Sequence, residues 1–146
     1  MKAQLLIHFS ICLLFFTGIT FFSASAQKKK VSFNNSTIVP GAEGTVKVKK
    51  DKNGNYHIDI DIVNMPDSKK LTPSKKVYVV WMETHEIGVK NIGQVHSSSS
   101  MLSKTKKASI TTVSPFKPIR IFITAEDDGG TEEPGDVVVL TTDTFN

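Results

Sequence analysis

Two groups of residues in this 146-residue chain have types and spacing that chemistry can use. The first is Met82, His85, His96 and Met101, thioether and imidazole ligands placed on either side of one strand pair. Soft and borderline donors of this kind hold copper in extracytoplasmic carriers. The second is Glu126 to Asp136, EDDGGTEEPGD, with six carboxylates in eleven residues. Hard cations such as calcium take oxygen ligands from acidic loops. Each group has a simpler reading. The histidines and methionines match no diagnostic metal spacing, and histidines at strand ends are ordinary. The acids lack the alternation of a calcium loop, and Gly129, Gly130 and Pro134-Gly135 are turn residues, so a solvated hairpin loop accounts for them. The expectation is therefore no resident cofactor, with copper through Met82, His85, His96 and Met101, or calcium through the acidic loop, as the alternative.

Catalytic constellations are missing from the rest of the sequence. There is no Gly-x-Ser-x-Gly elbow, no phosphate-binding glycine loop and no His-Glu-x-x-His. Ser97 to Ser100 reads as a flexible connection. Asp59 and Asp61 alternate along a strand, where cross-strand charge pairing is their usual role. A glycan hydrolase would need two carboxylates converging in a cleft, and the close pairs here sit on a wet strand face or within one loop. The sequence thus predicts a protein that binds rather than catalyses.

The elements that would carry these residues begin after an export signal. Lys2 gives a basic start, Leu5 to Phe22 is apolar, and Ala24-Ser25-Ala26 supplies a small-x-small cleavage site. Cleavage after Ala26 divides the chain into a signal peptide, 1–26, and a single domain, 27–146. The competing reading is a retained anchor, since the apolar run approaches the length of a membrane span. The small-residue site followed at once by lysines favours cleavage, which leaves no stable span and a periplasmic or secreted protein. Cys12, the only cysteine, would leave with the signal. The mature chain then has no disulfide, zinc–thiolate site or cysteine nucleophile, so an ordinary core must stabilise it.

Losing Lys2 lowers the formal net charge from +4 to +3. Basic runs at 28–30, 47–52, 69–76 and 104–107 are balanced by the acidic stretch 126–136. Without stacking aromatics or a reading helix beside them, these runs do not predict nucleic-acid binding, and they read as lysines that keep sheet faces and edges soluble.

Hydrophobic residues recur with period two. Val46 and Val48, then Ile58, Ile60 and Ile62, then Ile119, Ile121 and Ile123 alternate with other residues, and no stretch of 27–146 has a helical period. Strands are predicted near 31–39, 44–50, 56–64, 76–84, 91–98, 107–114, 118–126 and 136–145. Seven or eight short strands separated by turn signals predict an all-β fold, an antiparallel immunoglobulin-like β-sandwich. Pro115 and Pro118 mark a corner between two of them.

Two strand regions are more informative. In VKVKKDKNGNYHIDIDI, a two-residue Asn53-Gly54 turn would put Val48 opposite Asp59 and mix the faces. A three-residue loop, Lys52-Asn53-Gly54, pairs Val48 with Ile58, Val46 with Ile60 and Lys47 with Asp59. A four-residue loop keeps the same faces. In VYVVWMET both faces are apolar, as in a central strand. Trp81 is expected between the two sheets, which leaves Tyr78 and Met82 on the second face for an interface.

The run VYVVWMETHEIGVKNIGQVH, together with FKPIRIFITAEDDGGTEEPGDVVVLTT, resembles the C-terminal extracytoplasmic domain of anti-sigma-K factors. The resemblance rests on Tyr78, Trp81, Gly88, Gly93, Glu126, Gly129, Gly130, Pro134 and Gly135, and spans roughly the last seventy residues, a pattern of strands and turns specific to fold more than to function. Factors of the usual layout add a cytoplasmic sigma-binding domain, which nothing before Lys28 resembles. The resemblance therefore implies a sensory or binding β domain without catalytic residues, partnered by another envelope protein, and leaves oligomeric state open.

Overall fold

A computed structural model of the chain describes residues 28–98 and 105–145. Its strands are β1 (Lys28–Ser32), β2 (Glu43–Lys50), β3 (Tyr56–Val63), β4 (Val77–Thr84), β5 (Gly88–Val95), β6 (Lys107–Ser114), β7 (Arg120–Glu126) and β8 (Val138–Thr141), with one 3-10 turn at Ser68–Lys70. They form two antiparallel four-stranded sheets, ordered β1-β2-β3-β6 and β5-β4-β7-β8. The chain crosses between sheets after β3, β5 and β6, so β3 pairs with β6 while β4 pairs with β7. Those are the central pairings of an immunoglobulin-like sandwich.

The alternation dictates the core. Val46, Ile58, Ile60 and Ile62 of the first sheet meet Tyr78, Val80, Met82, Ile121 and Ile123 of the second in one buried cluster. Their outward neighbours in the first sheet, Lys47, Asp59 and Asp61, remain wet and pair laterally. Lys47 Nζ lies 3.0 Å from Asp61, and the Thr111 hydroxyl of β6 donates to Asp59 at 2.9 Å.

The β2–β3 hairpin has the predicted register: Val46 faces Ile60, Lys47 faces Asp59, and Val48 faces Ile58. Lys47 bonds diagonally to Asp61 rather than to Asp59 directly opposite. Gly54, at φ +90°, supplies the left-handed residue of the loop. Asp51 organises the turn, accepting from the Asn53 and Asn55 amides at 2.8 and 2.9 Å. Its other oxygen is 3.1 Å from His57 Nε2, a partner the sequence did not reveal. Partial burial alone would raise the Asp51 pKa, but the His57 contact and the two amides outweigh it and hold it below the ordinary value.

Three strand limits differ from expectation. The first strand lies at Lys28–Ser32 rather than 31–39. Beyond it the Ser36 hydroxyl accepts from the Ile38 and Val39 amides, a local turn that competes with the ladder. The fifth strand begins at Gly88 instead of residue 91, because Gly88, at φ +69°, closes a short turn over His85–Ile87. The last strand covers only Val138–Thr141.

The largest difference concerns Trp81. It does not lie between the sheets. Tyr78, Val80 and Met82 occupy the inter-sheet core, whereas Val77, Val79 and Trp81 form a separate buried cluster with Phe122 on the outer face of the second sheet. β4 is central, as its two apolar faces predict, but Tyr78 and Met82 are core residues rather than an interface. Parity groups side chains by face without saying which face is covered by the partner sheet.

Candidate functional site

What covers Trp81 is the β7–β8 connection, residues 127–137, which folds back over the outer face of the second sheet. Trp81 and Phe122 stack with ring centroids 6.3 Å apart and planes 16° from parallel. Both sit opposite each other on the β4–β7 ladder, so their spacing follows from strand pairing. At one end Arg120 lies 5.5 Å over the Phe122 ring and its guanidinium bonds Glu83 at 2.7 Å, closing the cluster with a partly exposed ion pair.

At the other end a chain of buried hydrogen bonds fastens the connection. The Trp81 indole N–H donates to Thr124 Oγ1 at 2.7 Å, and the Thr124 hydroxyl donates to Glu126 Oε1 at 2.5 Å. The same carboxylate oxygen accepts the Gly135 amide at 2.7 Å. Indole, hydroxyl and carboxylate are each satisfied, as burial requires. A Cβ at Gly135 would stand 2.7 Å from Glu126 Oε2, so a side chain there would have to displace the bonded carboxylate. From β5, Asn91 Nδ2 donates to the Gly129 and Thr131 carbonyls, each at 3.0 Å. Outside the cluster Lys75 bonds Asp127 at 2.8 Å, which raises the lysine pKa.

The connection is thus a strap held at both ends. Glu126, Gly129 and Gly135 are among its fastenings, and Trp81 is what it covers. Gly130 donates its amide to Asp128 in the turn. Pro134 is exposed and directs the chain into Gly135. Gly88 and Gly93 lie on the β4–β5 hairpin, at its turn and at a bulge. Tyr78 faces the main core, as does the Gly93 position opposite Val80.

The sequence pattern missed Asn91 and Thr124. Thr124 left a trace as a hydroxyl within the apolar run Ile121–Ala125, since a polar side chain on a fully buried strand must find a partner. Asn91 left none.

The histidine–methionine group does not converge. His85 stands at the tip of the β4–β5 hairpin and His96 just beyond the other end of β5. The intervening pairs run from Thr84–Gly88 to Tyr78–Val95, six steps or about 20 Å at strand rise. The Met82 side chain is sealed in the inter-sheet core. Met101 lies outside the described residues. Among the described residues, no three His, Cys, Asp or Glu side chains are grouped to hold a metal ion, the acidic strap included.

A cleft of about 250 Å³ opens at the end of the sandwich beside the 3-10 turn, with Asp67, Lys69, Lys76, Tyr78 and His96 in its wall. Asp67 caps the turn, accepting the Lys69 amide at 3.1 Å. The Tyr78 ring is buried, and its hydroxyl has no hydrogen-bond partner. Burial, with a smaller contribution from the Asp67 charge, pushes its pKa up to about 12.

No family model, curated protein or solved structure matches the chain.

Proposed function

We propose that the chain is an exported, non-catalytic binding module, similar to the extracytoplasmic domain of anti-sigma-K factors, that engages another protein of the cell envelope. The observation that carries this reading is the strap. It is fastened by Glu126, Asn91 and Gly135, while Glu132, Glu133 and Asp136 stand exposed and, among the described residues, have no ion-pair partners. A loop fixed on a sandwich can offer charge to a partner at little ordering cost, and recognition surfaces commonly use such loops. The surface suits a partner with a basic patch.

The test is crosslinking in cells of the chain tagged after Asn146, followed by mass spectrometry of what co-purifies. A specific envelope protein is expected with the natural strap and strongly diminished with Glu132→Lys and Glu133→Lys together. No specific partner, or one equally abundant with the reversed strap, would sink the proposal.

A further inference from the structure

The outer face of the first sheet, opposite the strap, gathers lysines that are far apart in sequence. Strand pairing sets Lys28 directly across from Lys49, and Lys30 across from Lys47. Lys47 reaches Asp61. Among the described residues, Lys28, Lys30 and Lys49 have no ion-pair partner. Like charges placed directly opposite on one sheet face oppose pairing. Edge protection explains lysines on β1, an edge strand, but not those on β2, which is flanked by strands on both sides. Acids border this group: Asp61 bonds Lys47, Asp59 faces Lys47 across the ladder while accepting from Thr111, and Asp51 is held by His57. The acids of this face thus lie toward β3 and the β2–β3 turn, and none stands across the ladder from Lys28, Lys30 or Lys49. The β1–β2 side of the face is left as a two-by-two block of lysines.

We infer that the β1–β2 lysine block is a docking surface for an anionic lipid headgroup layer. The block is flat, since it consists of adjacent residues on one sheet face. Furthermore, no Phe, Tyr or Trp occupies an outward position of β1, β2, β3 or β6, so a single-stranded nucleic acid would find nothing to stack on. Position favours lipid as well. Lys28 follows the apolar residues 5–22 by six positions, at most about 20 Å of extended chain. While that apolar stretch occupies a bilayer, before the expected cleavage after Ala26, the β1 corner lies within reach of its headgroups; after cleavage the lysine block alone would hold it there. Each lysine near an anionic surface raises partitioning about fivefold, and salt screens the effect. Because block and strap lie on opposite faces, lipid docking leaves the strap available, and the two proposals stand or fall separately.

The test uses residues 27–146, which contain every described strand and both buried clusters. The chain is sedimented with vesicles of phosphatidylcholine, with or without about one-third phosphatidylglycerol. Binding is expected only with the anionic lipid, and should disappear at high salt. Lys28→Gln, Lys30→Gln and Lys49→Gln together should reduce it on the order of a hundredfold. Lys70→Gln, Lys90→Gln and Lys117→Gln, equally exposed and removing the same charge elsewhere, should reduce it far less. The inference is overturned if phosphatidylglycerol makes no difference or if the two triple variants lose equally. Binding to soluble polyphosphate without binding to vesicles overturns it too. Circular dichroism of both triples confirms that any loss is not unfolding.

Discussion

The inter-sheet core and the Trp81 cluster are both buried, but they are built differently. The first arises from two sheets meeting through alternating side chains, so each residue of the Ile58-Ile60-Ile62 series is placed by its parity. The second is made when a loop rich in glycine and acid folds across a sheet face and is bonded down by Thr124, Glu126 and Asn91. Period-two patterning specifies a core of the first kind. The second kind depends on hydrogen bonds between residues distant in sequence, and is therefore the more separable of the two.

That contrast breaks most decisively at the aromatic stack. Trp81→Ala should cost about 3–5 kcal/mol, and Ile60→Ala about 2–5 kcal/mol, in chemical denaturation. Their local consequences should diverge. Trp81→Ala should also expose the strap to proteolysis under native conditions, whereas Ile60→Ala should leave strap cleavage governed by global unfolding. Equal strap protection in the two variants would mean that the clusters form one cooperative unit.

Glu126→Gln tests the fastening with less disruption. It weakens an acceptor for the Thr124 hydroxyl and the Gly135 amide, and should cost about 1–3 kcal/mol. Faster amide exchange at Gly135, with the β2–β3 ladder unchanged, is the expected signature.

Tyr78→Phe probes the main core from the opposite direction. Removing a buried hydroxyl without a partner should stabilise the fold by about 1 kcal/mol. The natural tyrosine also imposes a pH limit. Its pKa is higher folded than unfolded, so its contribution is intact below pH 10, where both states are protonated. Above that value the unfolded chain ionises first, and stability falls as pH approaches about 12. Melting curves of the phenylalanine variant should lack this component. The smallest effect belongs to the exposed Lys47–Asp61 pair, whose double-mutant coupling should stay below about 1 kcal/mol and shrink with salt.

The faces of the β2–β3 hairpin were legible because a two-residue turn would have mixed isoleucine with aspartate, while three- and four-residue loops both kept them apart. The observed register is that of the three-residue loop. The sandwich class followed from repeated alternation along the other strands. Trp81 was misplaced because a strand with two apolar faces offers no internal sign of which one meets the other sheet. His85 and His96 looked close in sequence, yet strand β5 runs nearly its full length between them. Their proximity depended on where the turn falls, and Gly88 placed it early. The acidic stretch was legible as a loop, but its fold-back was not, since Asn91 carries no pattern of its own.

The irregularity in β5 also bears on the open edge of the second sheet. Gly93, at φ +137°, sits where the register with β4 shifts, and a side chain there would strike Ile110 of the facing sheet. The shift interrupts the regular spacing of amides and carbonyls along an otherwise open edge. A straight strand arriving from a neighbouring molecule would lose alignment after a few residues. In a crowded compartment, the kink that brings the two sheets together along this side also makes the edge a poor template for polymerisation.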